Sequence, residues 1–353
     1  MKDIKKPDFI KEVEGQKGHL VGAELLISLA LFFVGSLVSA MIQMPAMAVY
    51  MLQSKEYLRM LQSGKFDTEL ILSLSANMPD WMFVVQLLSE IGLLFIVIGY
   101  CRLIERRRLF TMGFIKKGIG KELFRGILFG AVLCFGVWGL ECIQHMPKVK
   151  PVLPQSVILL FLLGYLVQGF AQEVFFRGYL LVSLSKGHSM ISSVFINAVV
   201  FSLLSGMSAD STMLAYINTF FFGVLMALLF VQYENIWCVG ILHGLWNFGR
   251  FMFPESFGMD SYYCTIILVV FLLLIGYIIN RQGKYVTVTQ PVYPGYQEMP
   301  YNGYPESRSP VQEPSKEVVR PMGVLPEEQA EEKTATDSSE TSDFVFDKEY
   351  FKD

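Results

Sequence analysis

Charge is scarce in this chain. Asp, Glu, Lys and Arg make up 17% of its 353 residues against 53% hydrophobic residues, and the charges collect between apolar blocks and toward the C-terminal end. With a mean hydropathy of +0.43, that balance argues against an ordinary soluble globular protein. Histidine is scarcer still, with four residues. Three of them, His19, His145 and His188, lie at segment ends and read as surface residues. The five cysteines, Cys101, Cys134, Cys142, Cys238 and Cys264, form no CxxC pair and show no metal-ligand spacing. They are expected to be free, buried thiols. No cleavable leader is expected either: the chain stays largely polar for its opening residues, and its first apolar run exceeds the length of a signal core. A basic face suited to nucleic acid is also lacking, because the basic residues sit where membrane topology already places them.

What the chain has is long apolar segments. Residues 1–19 form a charged arm, and a core follows over 20–284. Spans are expected near 22–42, 81–100, 123–143, from 155 toward Arg177, 189–206, 212–231, 236–249 and 262–280. The first is expected to give way near Pro45 to a broken or interfacial extension. The polar stretch 53–80 is expected to hold a short amphipathic helix. The segment 236–249 is short for a span and reads together with 250–254 as one tilted or interior helix. Arg102, Arg106, Arg107, Arg108, Lys116, Lys117, Lys121 and Arg125 cluster after the second span, which by the positive-inside rule puts that connection in the cytoplasm. The expected fold is an all-α polytopic membrane bundle of about eight transmembrane helices, with both termini cytoplasmic in a bacterial plasma membrane.

Composition changes after Lys284. Residues 285–353 carry 14 acidic against 6 basic residues, a net of −8, which leaves +5 for residues 1–284 of the total −3. Repeated Tyr, Pro and Gly over 291–305 and the absence of apolar periodicity beyond predict a disordered acidic cytoplasmic tail. Its Phe344, Val345, Phe346, Tyr350 and Phe351 are weighed as a docking motif for a cytoplasmic partner against a solvated tail that binds nothing specific.

Two polar sets interrupt the apolar core. Gln172, Glu173 and Arg177 stand near the end of the fourth segment, and helical spacing places Glu173 and Arg177 one turn apart on one face. His243 and Asn247 repeat the spacing of four on the seventh. Ionisable groups at membrane depth are expensive and mark functional sites or buried pairs. Two such sets on separate segments point to a converging polar cavity.

These residues resemble the motifs of the CAAX protease and bacteriocin-processing (CPBP, or Abi) family of intramembrane proteases, over roughly residues 120–250. The family's first motif is two glutamates, three variable residues and Arg-Gly; Glu173, Arg177 and Gly178 match it, and Gln172 stands at the first glutamate. The second motif, Phe and then His four residues later, falls on Phe201 and Ser205, so serine replaces histidine. The third, His and Asn four apart, is intact as His243 and Asn247. The resemblance implies that the first glutamate and the second-motif histidine activate the attacking water, while the remaining His and Asn hold it or stabilise the oxyanion.

A general base must take a proton near neutral pH, which neither Gln172 nor Ser205 does unaided. Two readings follow. In one, the protein is a catalytically impaired relative that binds or regulates a membrane-anchored peptide or protein. In the other it is an active intramembrane endopeptidase with Glu173 or His243 as replacement base. No cofactor is expected. A divalent metal stays open, although Glu173 and His243 are two ligands where a catalytic zinc has three.

Overall fold

The computed structural model describes residues 2–14, 20–144, 154–205, 212–253 and 259–287. The stretches 145–153 and 288–353, on which the connection between the segments expected at 123–143 and from 155 and most of the acidic tail fall, lie outside the described residues, as do His19 and His145.

Helices dominate, as the apolar runs require. A strand β1 (Lys2–Ile4) and helix α1 (Asp8–Glu14) precede the first long helix, α2 (Val21–Gln53). Two short helices follow, α3 (Lys55–Ser63) and α4 (Thr68–Ala76), and then α5 (Asp80–Ile104), α6 (Ile119–Gln144) and α7 (Gln155–Ser185). The chain continues through α8 (Met190–Ser205), α9 (Met213–Tyr233), α10 (Ile236–Met252) and α11 (Tyr262–Arg281) to strand β2 (Tyr285–Thr287). Six of the described helices, α2, α5, α6, α7, α9 and α11, are long and apolar enough to cross a membrane. Helix α8 is apolar but shorter, and α10 has 17 residues, in line with an interior segment. The chain is a multi-pass membrane protein.

Helix α2 corrects one expectation. It runs unbroken for 33 residues through Pro45, about 50 Å at 1.5 Å per residue. Proline removes one helical hydrogen bond, but in a membrane helix neighbouring groups re-satisfy the freed carbonyl. The excess over a bilayer's hydrocarbon core is taken up by tilt or projection. The polar stretch beyond it holds two helices where one was expected, and each begins at a capping side chain. Ser54 accepts from the Tyr57 N–H and Asp67 from the Leu70 N–H, satisfying amides that a helix start leaves orphaned.

The N-terminal arm folds onto one end of the bundle. Phe9, Ile10 and Val13 lie on one face of α1 and are fully buried, with the Phe9 ring edge-on to both Phe110 and Phe230. The buried Asp3 carboxylate accepts from the Met190 and Ile191 amides at 3.0 Å each, where negative charge suits the start of α8. Strand β1 pairs antiparallel with β2, Lys2 opposite Thr287. Both ends of the described core therefore emerge on the same side, beside the 105–113 connection.

Helix α10 is wedged between α6 and α7, and glycine sets how closely. A Cβ on Gly244 would lie 2.7 Å from Leu166 Cα and 2.9 Å from the Tyr165 carbonyl oxygen, one on Gly169 would collide with the Gly244 amide, and one on Gly240 with the Phe170 ring. Small residues four apart let two membrane helices touch backbone to backbone, and this contact brings the two polar sets together. Gly244→Ala is expected to force α7 and α10 apart and cost about 1–3 kcal/mol, read as a lower unfolding temperature in detergent. Gly139→Ala, with nothing within 4 Å of the added carbon, should be neutral or slightly stabilising.

Candidate functional site

The site begins where α7 changes its winding. The helix is regular to Glu173 and then adopts a π-helical turn over Val174–Leu181, a departure that recurs at functional sites. Two donors from elsewhere in the chain hold the widened turn. Asn197 Nδ2 donates to the Phe176 carbonyl at 2.7 Å, and Arg107 Nη2 donates to the Gly178 carbonyl at 3.0 Å. Arg107 is itself buried and also bonds Ser183 Oγ and the Glu105 carboxylate.

Within this turn Glu173 and Arg177 pair as their spacing predicts, with Arg177 Nη1 donating to Glu173 Oε1 at 2.8 Å. Both side chains are 0% exposed. The second guanidinium nitrogen donates to the Gly223 carbonyl of α9 at 3.0 Å, and the cation lies over the Phe201 ring at 4.6 Å. Such a cation–π contact strengthens when desolvated. From α10, His243 Nδ1 meets the same Glu173 oxygen at 2.6 Å. A carboxylate paired with arginine only accepts, so Nδ1 is the donor of this contact, and in a neutral imidazole Nε2 would be the nitrogen with the lone pair. Phe201 and Phe222 flank the imidazole edge-on.

A cavity of about 470 Å³ adjoins this cluster. Its described lining includes Gln172, Ser205, His243 and Asn247 but neither Glu173 nor Arg177. Four candidate residues from α7, α8 and α10 thus share one chamber, while the acid and the arginine sit behind its wall. Asn247 Nδ2 donates to Gln168 Oε1 at 3.3 Å. Among the described residues no three His, Cys, Asp or Glu side chains cluster as a metal site. His188 is half-buried in the turn between α7 and α8, away from the cavity lining. Of the five cysteines, Cys101, Cys238 and Cys264 are buried, Cys134 and Cys142 are half-buried, and all are free thiols.

Several contributors escaped the sequence reading. Thr219 and Phe222 bring α9 into the cavity wall, and Arg250 and Phe251 extend the α10 face beyond Asn247. The signal for Arg250 was present: positions 243, 246, 247 and 250 follow the i, i+3, i+4, i+7 pattern of one helix face. Arg107 and Asn197 gave no such signal, since they act on backbone carbonyls distant in sequence.

A comparison with curated proteins found no match. The family model described as type II CAAX prenyl endopeptidase Rce1-like matches residues 154–249, the stretch from α7 through most of α10 that holds the buried pair and most of the cavity lining. Residues 154–249 are therefore similar to an Rce1-like domain of the CPBP family.

Proposed function

We propose that this protein binds a membrane-anchored peptide or protein in its intramembrane cavity without hydrolysing it. The observation that carries this reading is the division of the polar groups between chamber and wall. Gln172 and Ser205 face the chamber at the positions where the family resemblance expects a glutamate and a histidine. Neither side chain takes a proton at neutral pH. The acid that remains, Glu173, is sealed behind the wall against Arg177. The amides of Gln168, Gln172 and Asn247 both donate and accept, which suits the backbone of an extended peptide. On this reading the protein is a binding or regulatory relative that needs no cofactor. The strands and the basic connection face the cytoplasm by the positive-inside rule. A cytoplasmic partner for the acidic tail belongs to the same proposal, on residues outside those described.

One observation favours residual peptidase activity. The Glu173 contact makes Nδ1 the donor, so that in a neutral ring Nε2 is the free nitrogen of a histidine lining the cavity. A carboxylate-oriented imidazole of this kind is competent as a general base. The two readings separate when purified full-length protein is mixed with a panel of lipidated fluorescent peptides. Binding is followed by anisotropy and peptide integrity by mass spectrometry. Saturable binding with unchanged peptide mass is expected. Absence of binding, or rapid His243-dependent fragmentation, would overturn the proposal.

A further inference from the structure

Arg250 is the one permanently charged side chain among the described residues that line the cavity. It is exposed, and no hydrogen bond or ion pair joins it to any described residue. No acid lies among the described lining residues. The described carboxylate whose field reaches Arg250, that of Asp260, is hydrogen-bonded to Thr212. A guanidinium that lines a ligand-sized chamber and has no ion-pair partner among the described residues is available to an anion.

Position narrows the ligand. Arg250 lies seven residues beyond His243 on the same face of α10, roughly 10 Å along the axis at 1.5 Å per residue. It is at the end of α10 opposite Ile236, whose amide is tied to the Gly113 carbonyl. The cavity wall also carries amides and aromatic rings, among them Gln168, Gln172, Asn247, Tyr165 and Phe251. Amides that both donate and accept match peptide bonds, whereas a lipid phosphate offers acceptors alone. The planar guanidinium fork matches a carboxylate with two parallel hydrogen bonds. Resting on the peptide-binding reading above, we infer that Arg250 is the anchor for a carboxylate of the bound peptide, either an acidic side chain or a free C-terminus. It selects among membrane-anchored peptides by charge.

The test uses full-length protein in phosphatidylcholine nanodiscs and a palmitoylated fluorescent pentapeptide in four forms. These are the free C-terminal acid, the C-terminal amide, the amide with a penultimate Glu, and the same peptide with Gln. Wild type should bind at least one acidic form about tenfold more tightly than its neutral counterpart, a difference of 1.4 kcal/mol. Which acid is preferred identifies the source of the carboxylate. Arg250→Gln should abolish the preference, and Arg250→Lys should keep part of it. Equal binding of all four forms to wild type would overturn the inference and leave the peptide-binding reading standing. Failure of every form to bind would overturn both. Arg250-dependent binding of phosphatidate-containing nanodiscs to the exclusion of the peptides would assign Arg250 to lipid and overturn the inference as well.

Discussion

Arg177→Ala should leave little folded protein. Its guanidinium is fully buried, bonds both Glu173 and the Gly223 carbonyl, and rests on Phe201. Removing it leaves the Glu173 carboxylate at 0% exposure with only the His243 contact described for it, and breaking one side of a buried pair typically costs about 3–5 kcal/mol. That is a large share of the roughly 5–15 kcal/mol by which proteins are stable. It would appear as a sharp fall in the yield of monodisperse protein and in unfolding temperature. Arg177→Met combined with Glu173→Gln removes both charges and leaves an amide oxygen to accept from His243. This double variant should recover part of the loss, a coupling that additive effects would not give. If Arg177→Ala unfolds within about 1 kcal/mol of wild type, well below the cost of an orphaned buried charge, the pair is not the structural post described here.

Gln172→Glu together with Ser205→His is expected to create peptidase activity. Both positions line the chamber that already holds His243 and Asn247, so the double variant would place a carboxylate and an imidazole beside them. A positioned general base is worth about 10²–10⁴-fold in rate, and a rise in peptide cleavage of at least about 100-fold is expected. Each single variant should give much less. Binding of the uncut peptide supplies the folding control. A double variant that folds and binds peptide yet remains inert would show that other features of the cavity, and not positions 172 and 205, silence it.

The pairing of Glu173 with Arg177 was legible from spacing alone, because an i, i+4 pair on an apolar segment has few other ways to satisfy its charges. The approach of His243 was legible only as convergence of two polar sets. Its contact with Glu173 depends on Gly169, Gly240 and Gly244 letting α7 and α10 meet at backbone distance, a feature of shape that periodicity does not report. The widened turn at 174–181 left no mark either, since its outside donors, Arg107 and Asn197, come from other helices and connections. For the same reason, sequence placed Glu173 among the replacement bases for water, whereas the folded chain turns it away from the chamber. The buried face of α1 was readable in Phe9, Ile10 and Val13, but seven residues flanked by lysines carry too little pattern to outweigh their charge. Pro45 misled because a local rule for soluble helices was applied to a membrane segment, where proline is tolerated inside helices.

The central claim is that the cavity holds a peptide without activating water on it. The most direct measurement is hydrolysis in water enriched in ¹⁸O, with purified wild-type protein at concentrations above that of a bound lipidated peptide. Each hydrolysed peptide bond would leave one heavy oxygen in a new carboxylate, so even slow turnover registers as a mass increment. The account predicts no incorporation above that seen with His243→Ala over many hours. Incorporation that grows linearly with time in wild type, and disappears in well-folded His243→Ala and Glu173→Gln, would contradict it and make His243 the base of a working protease.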